Sequence, residues 1–361
     1  KVIYKLAGHE FLISSPKQLA SILFEELSLP KTKKNKTSWS TDAQALDSIS
    51  SSHPIIKEIL QWRELMKIKT TYADALPNQI SKQTGNIHTM FSQTSTTTGR
   101  LTSNDPNLQN IPVRSEIGRE IRKAFITSNK KENVLVSFDY SQIELRVMAH
   151  LCQDEAFVEA FRQGEDIHSR TAREILTGGE EVDSESRRRA KAINFGILYG
   201  LSEFGLAKQL GISRSEAKDY ISAYFGRYPK IRHFLDRCIE EGRENGYVST
   251  LSGRQRALPD LKSKNGNIRK SAERIAMNTP IQGSAADLIK MAMLRVAERL
   301  EKEKMQSRLL LQVHDELVLE SPLEERDALV DLVREEMSSV MELSVPLVVD
   351  VGFGQSWAEA H

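Results

Sequence analysis

Two aspartates stand at the ends of apolar runs that have the composition of buried strands. Asp139 ends the run VLVSFDY (134–140), and Asp315 is followed by Glu316 between the apolar runs RLLLQV and ELVLE. A carboxylate beside buried strands is costly unless a cation or hydrogen bonds meet its charge. Two adjacent acids at a tight turn suit a hard cation such as Mg²⁺, and two carboxylates holding two ions are the minimum for in-line phosphoryl transfer. For Asp139 alone, capping of the helix that follows is the simpler interpretation.

A second set of candidate residues lies in RRRAKAINFGILYG (187–200). The residues that recur there at every fourth position are Arg187, Lys191, Phe195 and Tyr199. Each step of four turns a helix by about 40°, so all four side chains share one stripe. Two cations followed by two rings can bind a triphosphate at one end and a base at the other. An amphipathic helix with solvated basic residues is the competing interpretation, although two glycines without an evident packing role count against it.

Three further polar residues attract attention. His168 follows an acid by two residues, and a lone histidine usually serves a hydrogen bond unless it converges with Arg187 and Lys191 on one anion. The segment QGSAADLIKM predicts a helix that begins with Ser284 as its N-cap, and Gln282 lies just before it. Neither cysteine has a metal ligand at familiar spacing, so zinc is not expected, and a GxxxxGK[ST] loop is absent from the sequence.

The composition places these residues in a globular chain. The 361 residues are 39% hydrophobic and 27% charged, which predicts two or three structural units. The sequence has no apolar run of about 18 residues, so we expect no membrane span. It begins without Met or a signal peptide, which is typical of a fragment, and its two cysteines fit a reducing compartment.

The net charge of +1 argues at first against a nucleic-acid partner, because such proteins usually carry a basic excess. The total conceals a segregation of charge along the chain. Residues 312–361 contain 12 acidic and 2 basic residues, and the remaining residues carry a net charge of +11. Opposite charges in separate segments can leave a basic surface beside an acidic site.

The elements that must position these residues form a mixed pattern. The pattern of the first 75 or so residues predicts mostly helices, interrupted by a basic turn (31–38). The lysines of this turn, Lys36 among them, are expected either to be solvated or to contact phosphate. The composition of 91–112 is that of a linker. A strand at 134–140 leads into a helix, the chain then stays helical to about 275, and strands flank Asp315 and occupy 345–354. Helices inserted between strands of one small sheet fit an α+β fold.

Three of these segments resemble motifs A, B and C of the family A DNA polymerases of the bacterial DNA polymerase I type. They are DYSQIELR, RRRAKAINFGILYG and VHDE, and the resemblance extends to TGRLTSNDPNLQNIP, DIHSRTA and NTPIQGSAADL in the family's order. It implies a right-hand α+β fold with an antiparallel-sheet palm, helical fingers and a partial helical thumb. The implied division is 1–75 partial thumb, 76–146 first part of the palm, 147–271 fingers and 272–361 second part of the palm. Upstream thumb helices and a proofreading exonuclease domain are expected to be missing.

The resemblance also implies roles for individual residues in template-directed DNA synthesis. Two Mg²⁺ ions, for which Mn²⁺ can substitute, would be held by Asp139, Asp315 and the carbonyl of Tyr140. Glu316 would lie close by, and Lys191 would give a proton to the leaving pyrophosphate. The implied nucleotide-binding residues are His168, Arg187, Lys191, Phe195, Glu144, Gln142 and Tyr199. The implied DNA-binding residues are Arg100, Asn107, Gln109, Asn278, Gln282 and His314.

The implied partners are primer-template DNA and deoxynucleoside triphosphates. The implied protein is a monomer that does not associate with a membrane. The implied location is the cytoplasm of a bacterium, near the nucleoid, with an organelle or phage origin left open. Three other functions also remain open: a catalytically silent nucleic-acid-binding fragment, a nuclease, and an RNA polymerase or reverse transcriptase. Primer extension would separate the silent fragment from the enzyme.

Overall fold

The computed structural model describes residues 1–35, 38–112 and 116–361, which form two compact units that divide after His88. The first unit is helical, as predicted, and the lysine at position 36 lies outside the described residues. Ser15 caps the second helix by accepting a hydrogen bond from the Gln18 amide, and Pro16 takes the first helical position. The unit buries Leu19, Leu23 and other aliphatic side chains. Its α-helices are α1 (Val2–Ala7), α2 (Pro16–Ser21), α3 (Ala43–Asp47) and α4 (Pro54–Ile68).

The second unit combines antiparallel sheets with many helices, which confirms the predicted α+β class. Its strands are β1 (Met90–Ser92), β2 (Thr102–Asn104), β3 (Asn133–Tyr140), β4 (Tyr247–Ser249), β5 (Gln255–Ala257), β6 (Arg308–Val313), β7 (Glu316–Pro322) and β8 (Val349–Gly354). Its helices are α5 (Glu116–Lys123), α6 (Ile143–Cys152), α7 (Glu155–Arg162), α8 (Ile167–Thr171), α9 (Ser184–Leu198), α10 (Glu203–Leu210), α11 (Arg214–Arg227), α12 (Pro229–Asn245), α13 (Gly266–Lys302), α14 (Arg326–Ser338) and α15 (Trp357–Ala360).

The central sheet has the strand order β6-β7-β3-β8. Strand β3 is rich in β-branched and aromatic residues, lies between two neighbours and buries Val136 and Phe138 completely. The predicted strands on either side of Asp315 are confirmed as β6 and β7. They are joined by a two-residue turn in which His314 adopts a positive φ of 54°. This geometry brings Asp315 to the same end of the sheet as the end of β3.

The last predicted strand is shorter than expected. Strand β8 begins at Val349 rather than at residue 345. Pro346 has no amide proton to donate to a ladder, and its carbonyl accepts a hydrogen bond from Arg146 Nη1 at 2.7 Å. The segment before Val349 therefore packs through side-chain contacts with α6 rather than as a strand.

Helix α13 contradicts the predicted helix start at Ser284. It begins after Asn265, whose side chain accepts hydrogen bonds from two amides of the first turn, and it runs through Pro280 without ending. The Ser284 hydroxyl donates to the Pro280 carbonyl at 2.5 Å and accepts from the Leu251 amide at 2.8 Å. The Ser-x-x-Asp pattern at this point serves tertiary contacts, which the capping signature cannot distinguish from a helix start.

Two other segments differ from the sequence-based expectation. The stretch 91–112 is not a plain linker, because it pairs β1 with β2 and buries Ser103, Leu108 and Ile111. The helical run up to about 275 is interrupted by the hairpin β4–β5. Within the described ranges, we find no helix with the length and apolar character needed to cross a membrane.

Candidate active site

The two predicted aspartates meet at one end of the central sheet. Asp139 lies directly opposite Glu316 in the β3–β7 ladder, and the Tyr140 amide donates a hydrogen bond to the Asp315 carbonyl at 3.1 Å. Burial, with the negative charges of Glu316 and Asp315 close by, raises the pKa of Asp139 to about 7. Burial also raises the pKa of Asp315, although Arg100 opposes that shift. The fold thus concentrates negative charge that the protein itself neutralises only in part.

Glu316 differs from the two aspartates because its carboxylate already accepts hydrogen bonds from other side chains of the protein. Its Oε1 accepts hydrogen bonds from Ser137 Oγ at 2.6 Å and from Trp357 Nε1 at 3.0 Å, and His361 Nδ1 lies 3.5 Å from Oε2. Burial alone would raise the pKa of Glu316, but the hydrogen bonds from His361, Ser137 and Trp357 outweigh it and lower that pKa. Glu316 is therefore an anion held in place beside Asp139.

A polar bridge connects the aspartates to helix α9. Glu144, in the first turn of α6, is almost fully buried and accepts hydrogen bonds from Arg100 Nη2 at 2.7 Å and from the Tyr199 hydroxyl at 2.6 Å. The same Arg100 nitrogen lies 3.8 Å from Asp315 Oδ1. Burial raises the pKa of Glu144, against the opposing effects of Tyr199 and Arg100. A change at Tyr199 can therefore reach Asp315 through two intervening side chains.

The predicted stripe on α9 exists. Arg187 and Lys191 are exposed, while the rings of Phe195 and Tyr199 stack with centroids 6.1 Å apart and an angle of 27° between their planes. The Asp183 side chain caps the helix by accepting from an amide of its first turn. The helix ends at Leu198, so Tyr199 projects from its C-cap rather than from its interior.

The glycines of this segment do have a packing role, so the sequence argument drawn from them is wrong. Gly200 has a φ of 64°, and a Cβ there would lie 2.6 Å from Met277 Cε. A Cβ at Gly196 would lie 3.1 Å from Leu201 Cδ2. Both glycines allow close approach of neighbouring chain at the end of α9.

His168 converges with the basic residues of the stripe, as required for a shared anion. It lies on α8, is 2% exposed, and its ring centroid is 5.7 Å from that of Phe195. Arg187 Nε donates to Asp166 Oδ2 at 2.5 Å, and Asp166 also caps α8 by accepting from the His168 amide. Burial, with Lys191 and Arg187 nearby, lowers the pKa of His168 to about 4 against the effect of Asp166.

The donor set at the sheet end fits a divalent cation that takes its other ligands from a substrate. Among the described residues, no group of three or more His, Cys, Asp or Glu side chains is arranged to hold a metal ion. Carboxylate oxygens are nevertheless ligands that Mg²⁺ uses when phosphates and water complete its shell. Gln142, at a φ of 56° before α6, leaves its buried Oε1 without a partner in the described chain.

The predicted DNA-binding residues occupy several elements of the second unit. Gln109 Nε2 donates to the Gln312 carbonyl and to its side-chain oxygen, both at 3.1 Å, which ties the loop after β2 to strand β6. Asn107 is exposed and accepts from the Gln109 amide at 3.0 Å. Asn278 and Gln282 lie one turn apart on α13, and the buried Oδ1 of Asn278 has no partner within the described residues.

Sequence reasoning missed several residues that hold the site together. Asp287 is 6% exposed and accepts from Thr250, Ser252 and Arg254, whose guanidinium also donates to the Thr98 carbonyl at 2.8 Å. These bonds fix the β4–β5 hairpin and the loop that carries Arg100. Only the tertiary structure reveals this cluster, since its members lie on three distant segments.

Asn194 was also missed, although the sequence carried a signal for it. It is fully buried in α9 between Ile193 and Ile197, and a polar side chain on the apolar face of a helix requires buried partners. It finds them in His168 and Thr171 of α8.

Comparison with known proteins identifies the family. A family model described as DNA polymerase family A matches residues 1–359. DNA polymerase I of Geobacillus stearothermophilus is 51% identical over 359 residues, which are 99% of this chain and 41% of that protein. The thermostable DNA polymerase I of Thermus aquaticus is 49% identical over 361 residues, which are 99% of this chain and 43% of that protein. The chain thus spans about two fifths of the length of these curated relatives.

A solved structure agrees with the sequence comparisons. The POL domain of Pol1 from M. smegmatis, in complex with DNA primer-template and dNTP, superposes with a TM-score of 0.94 at 47% identity. The match covers 99% of this chain and 63% of that one. The family model over nearly the whole chain and these close relatives show that the chain belongs to DNA polymerase family A.

Proposed function

We propose that this chain is a template-directed DNA polymerase that adds deoxynucleoside triphosphates to a primer 3′-hydroxyl and releases pyrophosphate. The observation that carries the proposal is the link from the carboxylate pair to the basic stripe. Arg100 joins Asp315 to Glu144, and Glu144 is bonded to Tyr199 at the end of α9. An anionic site and a cationic helix placed together suit a reaction in which a triphosphate and two divalent cations must meet.

Asp139, Asp315 and the Tyr140 carbonyl would hold two Mg²⁺ ions, and Mn²⁺ could take their place. When bound, the ions would lower the pKa of the primer hydroxyl and neutralise the charge on the triphosphate. The ionised Glu316 would keep Asp139 facing this position without serving as a ligand itself. We assign these residues to a polymerase site and not to an exonuclease site.

The triphosphate would bind to residues of α8 and α9. Arg187 and Lys191 would neutralise phosphate oxygens, and His168 would donate a hydrogen bond to one of them. Lys191 is exposed on the same stripe and is our candidate for giving a proton to the pyrophosphate. Phe195 would stack near the incoming sugar and base.

Sugar and template recognition would involve the bridge residues. Glu144 would occupy the space that a ribose 2′-hydroxyl needs, with Gln142 beside it, and Tyr199 would exchange places with the template base as the fingers close. Contacts to the minor-groove edge of the primer-template would come from Arg100, Asn107, Gln109, Gln282 and His314, and Asn278 would face the template. Minor-groove acceptors occur in every Watson–Crick pair, so these contacts would test geometry rather than sequence.

We also propose the family's division into partial thumb (1–75), palm (76–146 and 272–361) and fingers (147–271). The neighbour in complex with primer-template and dNTP supports the proposed partners. The alternative of a silent DNA-binding fragment predicts binding without extension.

Primer extension with Mg²⁺ and four deoxynucleoside triphosphates tests the function. We expect the wild-type chain to extend the primer, and Asp139→Asn to bind the primer-template equally well without extending it. Asp350→Asn is the matched control, because Asp350 lies opposite Asp139 in the ladder but is exposed on β8. Extension by Asp139→Asn at the wild-type rate would contradict the proposal, and so would binding without extension by the wild-type chain.

A further inference from the structure

Three buried side chains form a hydrogen-bonded chain beneath the basic stripe. Thr171 Oγ1 donates to Asn194 Oδ1 at 3.2 Å, and Asn194 Nδ2 lies 2.9 Å from His168 Nδ1. Thr171 and Asn194 are fully buried and His168 nearly so. A buried polar group rarely lacks a partner, and each member of this chain supplies one to the next.

The order of donors and acceptors along this chain determines where the imidazole proton lies. An amide nitrogen can only donate, so the Asn194 nitrogen requires an acceptor at His168 Nδ1. A neutral imidazole that accepts at Nδ1 carries its proton on Nε2. His168 Nε2 makes no hydrogen bond to any residue in the described chain, so this N–H remains available to a ligand.

We propose that Asn194 is a positioning residue that holds His168 as the neutral Nε2–H tautomer, so that the ring presents a constant hydrogen-bond donor to the incoming triphosphate. This inference rests on the proposed function, because it assigns the ligand of His168 Nε2 as a phosphate oxygen. The Thr171 hydroxyl donates to the other end of the same amide at 3.2 Å, which accommodates this orientation of Asn194.

The charges around the ring agree with a neutral donor. The groups that face His168 are Asp166 on its own helix and Arg187 and Lys191 on α9. Burial, helped by the two cations, lowers its pKa to about 4 in spite of Asp166. In the absence of nucleotide the ring therefore stays neutral at pH values well above that pKa.

Nuclear magnetic resonance of the full chain with ¹⁵N-labelled histidine tests the tautomer directly. The chain contains 8 histidines, and loss of one signal pair in His168→Gln assigns the ring. At about pH 7.5 we expect an unprotonated Nδ1 and a protonated Nε2. Titration with a deoxynucleoside triphosphate and Mg²⁺ should shift the Nε2 signal. A protonated Nδ1 in the wild-type chain, or an Nε2 signal that the nucleotide leaves unchanged, would overturn the inference.

Two variants of Asn194 separate positioning from simple packing. Asn194→Asp is nearly isosteric and offers an acceptor, so it should move the neutral proton to Nδ1 and raise the pKa of the ring. As the pH rises through that higher pKa, Nε2 loses its proton and presents a lone pair to the phosphate. The KM for nucleotide should therefore rise with pH. Asn194→Leu removes the donor and should raise KM about three- to tenfold with kcat within about twofold. In the wild-type chain this pH dependence should be absent.

Failure of this inference can be told apart from failure of the proposed function. If the wild-type chain extends primers but Asn194→Asp keeps both the tautomer and the flat KM profile, the positioning role is wrong and the polymerase function stands. If the wild-type chain does not extend primers but shows the Nε2–H tautomer and a nucleotide-dependent shift, the positioning role stands and the polymerase function is wrong.

Discussion

Replacing Asp139 by Asn should stabilise the metal-free protein while destroying its activity. Asp139 lies beside Asp315 and Glu316, and burial together with these charges raises its pKa from 3.8 to about 7. A carboxyl group with a higher pKa in the folded state than in the unfolded state opposes folding whenever it is ionised. The cost is absent below the unfolded pKa of 3.8, grows between that value and about 7, and is constant above it.

The size of this effect follows from the shift. A difference of about three pKa units corresponds to about 4 kcal/mol at 1.36 kcal/mol per unit. Water and side-chain relaxation weaken repulsion at a partly exposed site. We therefore expect Asp139→Asn to raise the free energy of unfolding by about 1–3 kcal/mol at about pH 8.5. The gain should fall by more than half at about pH 5, where folded Asp139 is already protonated.

Calorimetric unfolding in the presence of a chelator, with and without Mg²⁺, provides the assay. Without metal, Asp139→Asn should unfold at a higher temperature than the wild-type chain, by about 2–4 °C for each kcal/mol gained. Added Mg²⁺ binds the native state and should raise the wild-type midpoint by mass action, but raise that of Asp139→Asn much less. Asp350→Asn removes a neighbouring but exposed charge, so it should shift the metal-free midpoint only slightly and keep the Mg²⁺ response.

Two results would refute this reasoning. A metal-free Asp139→Asn chain that is less stable than wild type at about pH 8.5 would show that the carboxylates are not crowded. An equal Mg²⁺ response in both chains would remove Asp139 from the metal site. Neither measurement depends on catalytic turnover, so each can fail while the chain still extends primers.

Three further substitutions test other parts of the structure. Asp287→Ala should lower the free energy of unfolding by about 3–5 kcal/mol in urea titration, because it leaves the part-buried Arg254 without its carboxylate; a loss below about 1 kcal/mol would contradict that pairing. Gly200→Ala should cost about 1–2 kcal/mol in the same assay because of its positive φ, and no loss would exclude strain at this turn. Glu144→Ala should raise ribonucleotide incorporation in competition assays, whereas Tyr199→Phe, which keeps the Glu144 carboxylate, should not. If Glu144→Ala left the preference for deoxyribonucleotides unchanged, Glu144 would have no role in sugar recognition.

Local patterns were sufficient to predict the elements that carry the chemistry. Asp139 and Asp315 follow apolar runs of strand length, which predicted the strands, whereas the β3–β7 register is what brings both aspartates to one end of the sheet. The four-residue spacing of the stripe on α9 translates directly into one helix face. These predictions depended on the period of the secondary structure alone, which the sequence contains in full.

The errors arose where a side chain serves a distant partner. Ser284 has the pattern of an N-cap, yet its hydroxyl bonds Pro280 and the amide of Leu251 on another segment. The residues alone paired Glu316 with Asp315 as a candidate cation ligand, whereas the resemblance placed it only close by, and the fold supplies its carboxylate with hydrogen bonds from Ser137 and a tryptophan of the last helix. A short sequence window records the residue type and cannot record which of several possible partners the fold supplies.

The near-neutral charge of the chain acquires a physical meaning from this arrangement. The basic stripe on α9 and the acidic end of the central sheet carry opposite charges that largely cancel in the net charge of the chain. Glu144 lies between them, because it accepts one hydrogen bond from Arg100 and one from the neutral Tyr199 hydroxyl. Arg100 partly offsets Asp315 from 3.8 Å without forming a tight ion pair, which leaves that carboxylate free to exchange the guanidinium for a cation. The site therefore keeps its two charges apart and incompletely satisfied, a condition that a substrate carrying both a polyanion and its metal ions can relieve at once.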